Sequence, residues 1–232
     1  MPLFQLDTQV IDFPPVEFAL SQPQGLLAVG GNLSRGRLLN AYQQGIFPWY
    51  SEGEPIYWWC PSPRMIILPE KLHVSRSLTK ILRRELFQVT MDQAFAQMIR
   101  QCANIVRSDA NDTWITGAMQ AAYIDLFQAG YAHSVEIWHK GDLVGGLYGI
   151  ALGQIFFGES MFSAMANASK VALVHLVKQL QVWDFTLLDC QMHTDHLASL
   201  GAELMSLECF QQYLQANQQW GLSSAWLKPA PV

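Results

Sequence analysis

"AHSVEIWHKGDLVGGLYGIALGQIFFGESMF", residues 132–162, decides how this chain folds. Three runs rich in β-branched and aromatic residues, 132–139, 143–152 and 154–162, are separated only by "KGD" and by Gly153. Links that short leave no room for a crossover helix, so the runs predict an antiparallel meander of three strands. Upstream, "DQAFAQMIRQCANIV" (92–106) and "TGAMQAAYIDLFQAG" (116–130) predict two helices, the second stopped by Gly130. Downstream, "NASKVALVHLVKQLQVW" (167–183) predicts a strong helix with Asn167 near its start. "FTLLDCQM" (185–192) then reads as a strand, followed by a short helix over 194–202 and a longer one over 207–220.

The order helix, helix, three strands, helix, strand, helix is that of a GCN5-related acyltransferase-like domain, an α+β fold with a mainly antiparallel sheet. It is expected over residues 92–232. Residues 1–63 are rich in Gly, Pro and aromatics and predict a smaller N-terminal α/β domain. That domain carries one helix, with Ser34 as its N-cap, Leu38, Leu39 and Tyr42 on its apolar face, and Gly45 as its stop. Between the two domains, residues 64–91 are expected to be a basic helix and connecting segment.

Composition excludes several classes. Half of the 232 residues are hydrophobic and 14% are charged, which rules out a disordered chain. No apolar run reaches the roughly 18–20 residues of a membrane span, and the start lacks a basic-then-apolar signal pattern, so a soluble cytoplasmic protein is expected. The four cysteines, Cys60, Cys102, Cys190 and Cys209, show no C-x-x-C spacing and read as core thiols. "HTDH" (193–196) lacks a third ligand at a recognised spacing, so no metal is expected.

The net charge is −5, yet six of the 14 Lys and Arg residues fall between 64 and 84. Within "SRSLTKILRRE", Arg76, Lys80, Arg83 and Arg84 follow i, i+4, i+7, i+8, so a helix would gather them on one face, with Leu78, Ile81 and Leu82 turned inward. A charge run is most often a solvated face, but no acid interrupts this one until Glu85, and like charges repel unless a polyanion faces them.

Chemistry points to three further places. The turn after the third meander strand reads "SAMANASK" (163–170) and lacks the Q/R-x-x-G-x-G/A signature with which acetyl-CoA users of this fold hold pyrophosphate, so CoA is not expected. In "LLDCQ", Asp189 and Gln191 are two apart and on a regular strand would share a face, with Cys190 on the other. An acid and an amide on an apolar strand need partners. They either orient a substrate amine or, for Asp189, cap the helix that follows. Glu159 stands between Gly158 and Ser160 in an apolar setting, as a site anion or as the partner of Lys170. Trp49 and Trp114 lie at element edges, where indoles are either core or platforms for unpaired bases.

Taken in order, "GLLAVGGNLS", "LLNAYQQGIFPWYS", "WWCPSPR", "TWIT", "GESMFS", "NASK" and "LLDCQ...HLASLGA" resemble the leucyl/phenylalanyl-tRNA protein transferase family across nearly the whole chain. The resemblance implies transfer of Leu or Phe, and less readily Met, from aminoacyl-tRNA to the N-terminal Arg or Lys of a protein, which marks that protein for degradation. It implies that Asp189, Gln191 and Glu159 serve the transfer, that Trp49 and Trp114 hold the 3′-terminal adenosine, and that Phe156, Met161, Leu173, Leu176 and Leu188 line an amino-acid pocket. Arg76, Lys80, Arg83 and Arg84 would bind tRNA. No cofactor, metal or CoA is implied, because the tRNA ester is already activated. The competing reading is a non-catalytic tRNA- or peptide-binding protein of the same fold.

Overall fold

The computed structural model describes residues 3–104, 114–217, 221, 222 and 226. In chain order its elements are β1 (Phe4–Leu6), β2 (Leu26–Gly30), α1 (Arg35–Gln43), β3 (Phe47–Pro48), β4 (Tyr57–Trp59), β5 (Arg64–Ile67), α2 (Arg76–Leu82), β6 (Gln88–Met91), α3 (Phe95–Asn104) and α4 (Gly117–Gln128). They continue with β7 (Ala132–His139), β8 (Asp142–Leu152), β9 (Ile155–Ser163), α5 (Ala168–Val182), β10 (Leu187–Gln191), α6 (Asp195–Ala198), β11 (Glu203–Met205) and α7 (Leu207–Ala216).

Strands β7, β8 and β9 form the expected antiparallel meander, and the helices and strand around it follow the expected order. Residues 105 and 106, which the sequence assigns to the end of α3, and residues 218–220, which it assigns to the end of the last helix, lie outside the described residues. The meander sits inside a larger seven-stranded sheet of order β11-β5-β10-β9-β8-β7-β6. Three of those strands were not legible as strands: β5, β6 and β11 have three or four residues each, too few to show a period. The segment 64–91 therefore brings two strands to this sheet besides its helix. A separate four-stranded sheet of order β1-β2-β4-β3 lies in the N-terminal part.

Two buried clusters flank the large sheet. One joins α1, α3, α4 and α7 to the N-terminal sheet through Tyr42, Phe47, Trp58, Met98, Tyr123 and Phe210. The other lies under α5 and α2, through Leu78, Leu173, Leu176, Val177 and Leu188. Local chemistry sets the ends of the helices. Ser34, Ser75, Thr116, Thr194 and Ser206 each accept a backbone N–H as N-caps of α1, α2, α4, α6 and α7. Asn167 precedes α5 in a left-handed conformation and makes no side-chain cap. At Gly45, φ is +75° and an added Cβ would lie 2.6 Å from the Phe210 ring, so only glycine lets α7 close over the end of α1. No described helix is long and apolar enough to cross a membrane.

Candidate active site

Two neighbouring strands part company to make the site. β9 and β10 pair in parallel for three residues, ending at Phe157 opposite Asp189. Beyond that point Gly158 to Ser163 on one strand and Cys190 to Met192 on the other line a cavity of about 570 Å³. Its other walls come from Leu147 and Tyr148 of β8, from Phe156 and Leu188 of the paired strands, from α5, from the loop and turn of α6, and from Phe47, Pro48, Trp49 and Trp114.

Each strand carries an irregularity at its polar residue. Against β8, Ser160 pairs with Tyr148 and Gly158 with Gly149, which leaves Glu159 as the extra residue of a bulge. Against β5, Asp189 pairs with Ile66 and Gln191 with Met65, so β10 takes two steps where β5 takes one. Gln191 adopts φ +62° there. The bulge overturns the simple expectation that Asp189 and Gln191 share a face by the two-residue period. Asp189 points into the cluster beneath the cavity and is fully buried, whereas Gln191 lines the cavity with Cys190.

Asp189 neither caps α6 nor touches the Gln191 side chain. Its carboxylate takes the Arg64 guanidinium in a two-pronged ion pair, Nε to Oδ1 at 2.8 Å and Nη2 to Oδ2 at 2.6 Å. Its Oδ1 also accepts the backbone N–H of Gln191 at 2.8 Å. The Gln191 amide instead donates from Nε2 to Glu159 Oε1 at 2.9 Å.

Glu159 is 8% exposed and faces two phenols rather than Lys170. Tyr42 on α1 donates to Oε1 at 2.7 Å, and Tyr123 on α4 donates to Oε2 at 2.8 Å. The two hydroxyls are also hydrogen-bonded to each other. Three oxygen–oxygen contacts need three hydrogens, and the two hydroxyls supply only two. A proton on Glu159 completes the set. In keeping with this count, burial pushes the Glu159 carboxyl up to about 7, against the opposing pull of the Tyr42 and Tyr123 hydrogen bonds. Around neutral pH this group both holds and releases a proton. Cys190 does the opposite: burial raises its thiol far above the usual range, so it serves as a neutral wall.

Of the residues singled out in the sequence, Phe156, Met161, Leu173, Leu176, Leu188, Trp49, Trp114, Glu159 and Gln191 all line this one cavity. Trp49 is 38% exposed and tilted against Trp59, whose indole N–H donates to the Trp49 carbonyl. Arg76, Lys80, Arg83 and Arg84 are exposed, and none makes an ion pair among the described residues. The helix stops at Leu82, so Arg83 caps it and Arg84 lies in the following turn. Four cations on one helical face therefore become two on the helix and two at its exit. Leu78 is buried, and Ile81 and Leu82 pack on the core as expected.

Sequence reasoning missed Arg64, Tyr42 and Tyr123. Tyr42 read as an apolar helix residue, and nothing local distinguishes a phenol whose partner is 117 residues away. Arg64 follows "WWCPSP" in an apolar strand, where a cation needs a buried acid; that signal was present in the sequence.

Residues 66–215 match the family described as leucyl/phenylalanyl-tRNA protein transferase, and residues 31–62 match its N-terminal domain. A protein of that name from Pseudomonas syringae pv. syringae is 53% identical over 221 residues, covering 95% of this chain and 96% of its own. The chain belongs to the leucyl/phenylalanyl-tRNA protein transferase family. A second relative of that name, from Pseudomonas syringae pv. tomato, is 56% identical over 90% of this chain and 91% of its own. Among solved structures, a GCN5-related N-acetyltransferase from Kribbella flavida aligns with TM-score 0.36 at 12% identity, over 74% of this chain and 61% of its own.

Proposed function

We propose that this protein takes Leu or Phe, and less readily Met, from aminoacyl-tRNA and joins it to the N-terminal Arg or Lys of an acceptor protein in the cytoplasm. The observation that carries this reading is the cavity itself: an apolar chamber whose polar edge holds Glu159 and Gln191 in contact, with two indoles on its rim.

Each part has a use. The wall of Phe156, Met161, Leu173, Leu176 and Leu188 receives the donor side chain and rewards apolar bulk. Trp49 and Trp114 stack on the terminal adenosine. The exposed cations of α2 and its exit turn meet tRNA phosphates, which gives an acidic protein a local seat for a polyanion. An aminoacyl ester needs no CoA, because its alcohol is already a competent leaving group.

In the transfer the acceptor α-amine attacks the ester carbonyl carbon. A C–N bond forms, the C–O bond to the ribose breaks, the amine loses a proton and the departing ribose oxygen gains one. Glu159 takes up the amine proton, since its carboxyl titrates near the working pH. Gln191 gives its amide hydrogen to Glu159, which leaves its amide oxygen to accept from the amine and hold it in line. Asp189 is a positioning residue: it is buried, paired with Arg64 and has no path to the substrate.

The test is incubation with tRNA charged with labelled Leu and a peptide with N-terminal Arg, against the same peptide with N-terminal Gly. Label in the Arg peptide alone is the expected result. Tight tRNA binding with no transfer to either peptide would overturn it in favour of a non-catalytic tRNA- or peptide-binding protein.

A further inference from the structure

One buried guanidinium touches both sides of the cavity's polar edge. Arg64 opens β5 and is 1% exposed, with Asp189 on one side of it. Its Cζ lies over the Phe47 ring, 4.9 Å from the ring centre, and over the Phe210 ring, also at 4.9 Å. Phe47 belongs to β3 and is followed directly by Pro48 and Trp49, all three lining the cavity. Asp189, in turn, holds the N–H of Gln191 at the bulge.

We propose that Arg64 is a positioning residue of the transfer reaction: it fixes the Gln191 turn through Asp189, and the strand leading to Trp49 through Phe47. This rests on the transfer reading given above. The physical case is that each contact exploits a property specific to arginine. The planar fork matches the carboxylate at two points, and its delocalised charge lies over two rings at once. Lysine offers a single point charge with neither property. With both carboxylate oxygens engaged by Arg64, Asp189 cannot swing toward the Gln191 side chain. The left-handed turn at Gln191 keeps its acceptor, and the amide stays aimed at Glu159. Neither Arg64 nor Phe210 lines the cavity, so they act on the reaction through these neighbours and, for Arg64, through its charge, which opposes the rise of the Glu159 carboxyl.

The experiment compares Arg64→Lys, Phe210→Leu and the double variant Arg64→Met with Asp189→Leu, the last replacing the whole buried ion pair with apolar groups, a change that often preserves stability. For each, the folded fraction is measured by thermal unfolding, and kcat and KM for Leu-tRNA are measured per folded molecule. The expected result is a kcat at least tenfold lower in Arg64→Lys and in the double variant, and roughly three- to tenfold lower in Phe210→Leu, with KM changed less than threefold. Wild-type kcat per folded molecule in any of these variants would overturn the proposal, and so would losses that track only the unfolded fraction. If Arg64→Lys fails to fold, the double variant and Phe210→Leu decide. If the wild-type protein transfers no Leu at all, it is the transfer reading that fails.

Discussion

The two ends of the cavity are built on different principles. The deep end is a wall of Phe156, Leu173, Leu176 and Leu188, each at most 2% exposed and each contributing only shape. The polar edge is built from charge and hydrogen bonds: Glu159 between two phenols, Gln191 on Glu159, and Asp189 on Arg64 beneath. Shape is forgiving, because aliphatic side chains repack and a methylene is worth about 1 kcal/mol. A hydrogen-bonded edge is not, because removing one member leaves the others buried without partners. On the proposed reading this difference divides the work: the wall would choose the donor, and the edge would set the rate.

The contrast is broken most severely at the edge. Gln191→Ala is expected to lower turnover on the order of 10²-fold or more while leaving tRNA affinity nearly intact. Single-turnover transfer and tRNA binding, measured side by side, check it; an equal loss in both would place Gln191 in binding rather than in the reaction.

At the wall, Leu176→Phe shortens the deep end. It is expected to penalise Phe-tRNA about ten- to a hundred-fold relative to Leu-tRNA. Competition between the two charged tRNAs reads this ratio directly, and an unchanged ratio would remove Leu176 from the donor wall.

Outside the cavity the effects are smaller. Replacing Arg76, Lys80, Arg83 and Arg84 with Ala is expected to raise KM for aminoacyl-tRNA several-fold and to flatten the salt dependence of binding, by roughly 0.7–0.9 in log–log slope for each phosphate left unneutralised. Fluorescence titration from low to high salt checks both. Because the helix ends at Leu82, Arg76 and Lys80 are expected to act as one pair and Arg83 and Arg84 as another.

A smaller effect still concerns stability. The Glu159 carboxyl titrates near 7 in the fold, against 4.5 for an ordinary glutamate, so the native state keeps a proton that the unfolded chain has released. Stability therefore falls as pH rises between those values, and the cost is complete above about 7. Glu159→Gln supplies the missing hydrogen permanently. Its stability relative to wild type is expected to be greater at pH 8 than at pH 5 by on the order of 1–3 kcal/mol. Urea unfolding at the two pH values measures it, and a pH-independent difference would argue against the proton count.

Much of this comparison is legible in the amino-acid sequence itself. The meander stands out because β7, β8 and β9 are long and their links are short. The wall stands out because the resemblance carries over residue by residue along β9, α5 and β10. What the sequence hid was the geometry of the edge. Bulges at Glu159 and Gln191 break the two-residue period on which the reading of "LLDCQ" relied, and no local pattern marks them. The partners of both acids come from far away in the chain. Arg64 is 125 residues from Asp189, and Tyr42 is 117 from Glu159. Pairings at that distance are properties of the packed molecule, not of any window of sequence.

The claim that the polar edge carries the proton of the transfer is tested most directly by the pH dependence of single-turnover Leu transfer, in wild type and in Glu159→Gln. Wild type is expected to show a rate that rises with pH through an inflection near 7, where Glu159 loses its proton. The acceptor amine adds its own rise at about 7.7–8.0. In Glu159→Gln the rate should fall on the order of 10²-fold or more, and the lower inflection should vanish, leaving only that of the amine. A variant that keeps the wild-type inflection, or transfers Leu at the wild-type rate, would contradict the account.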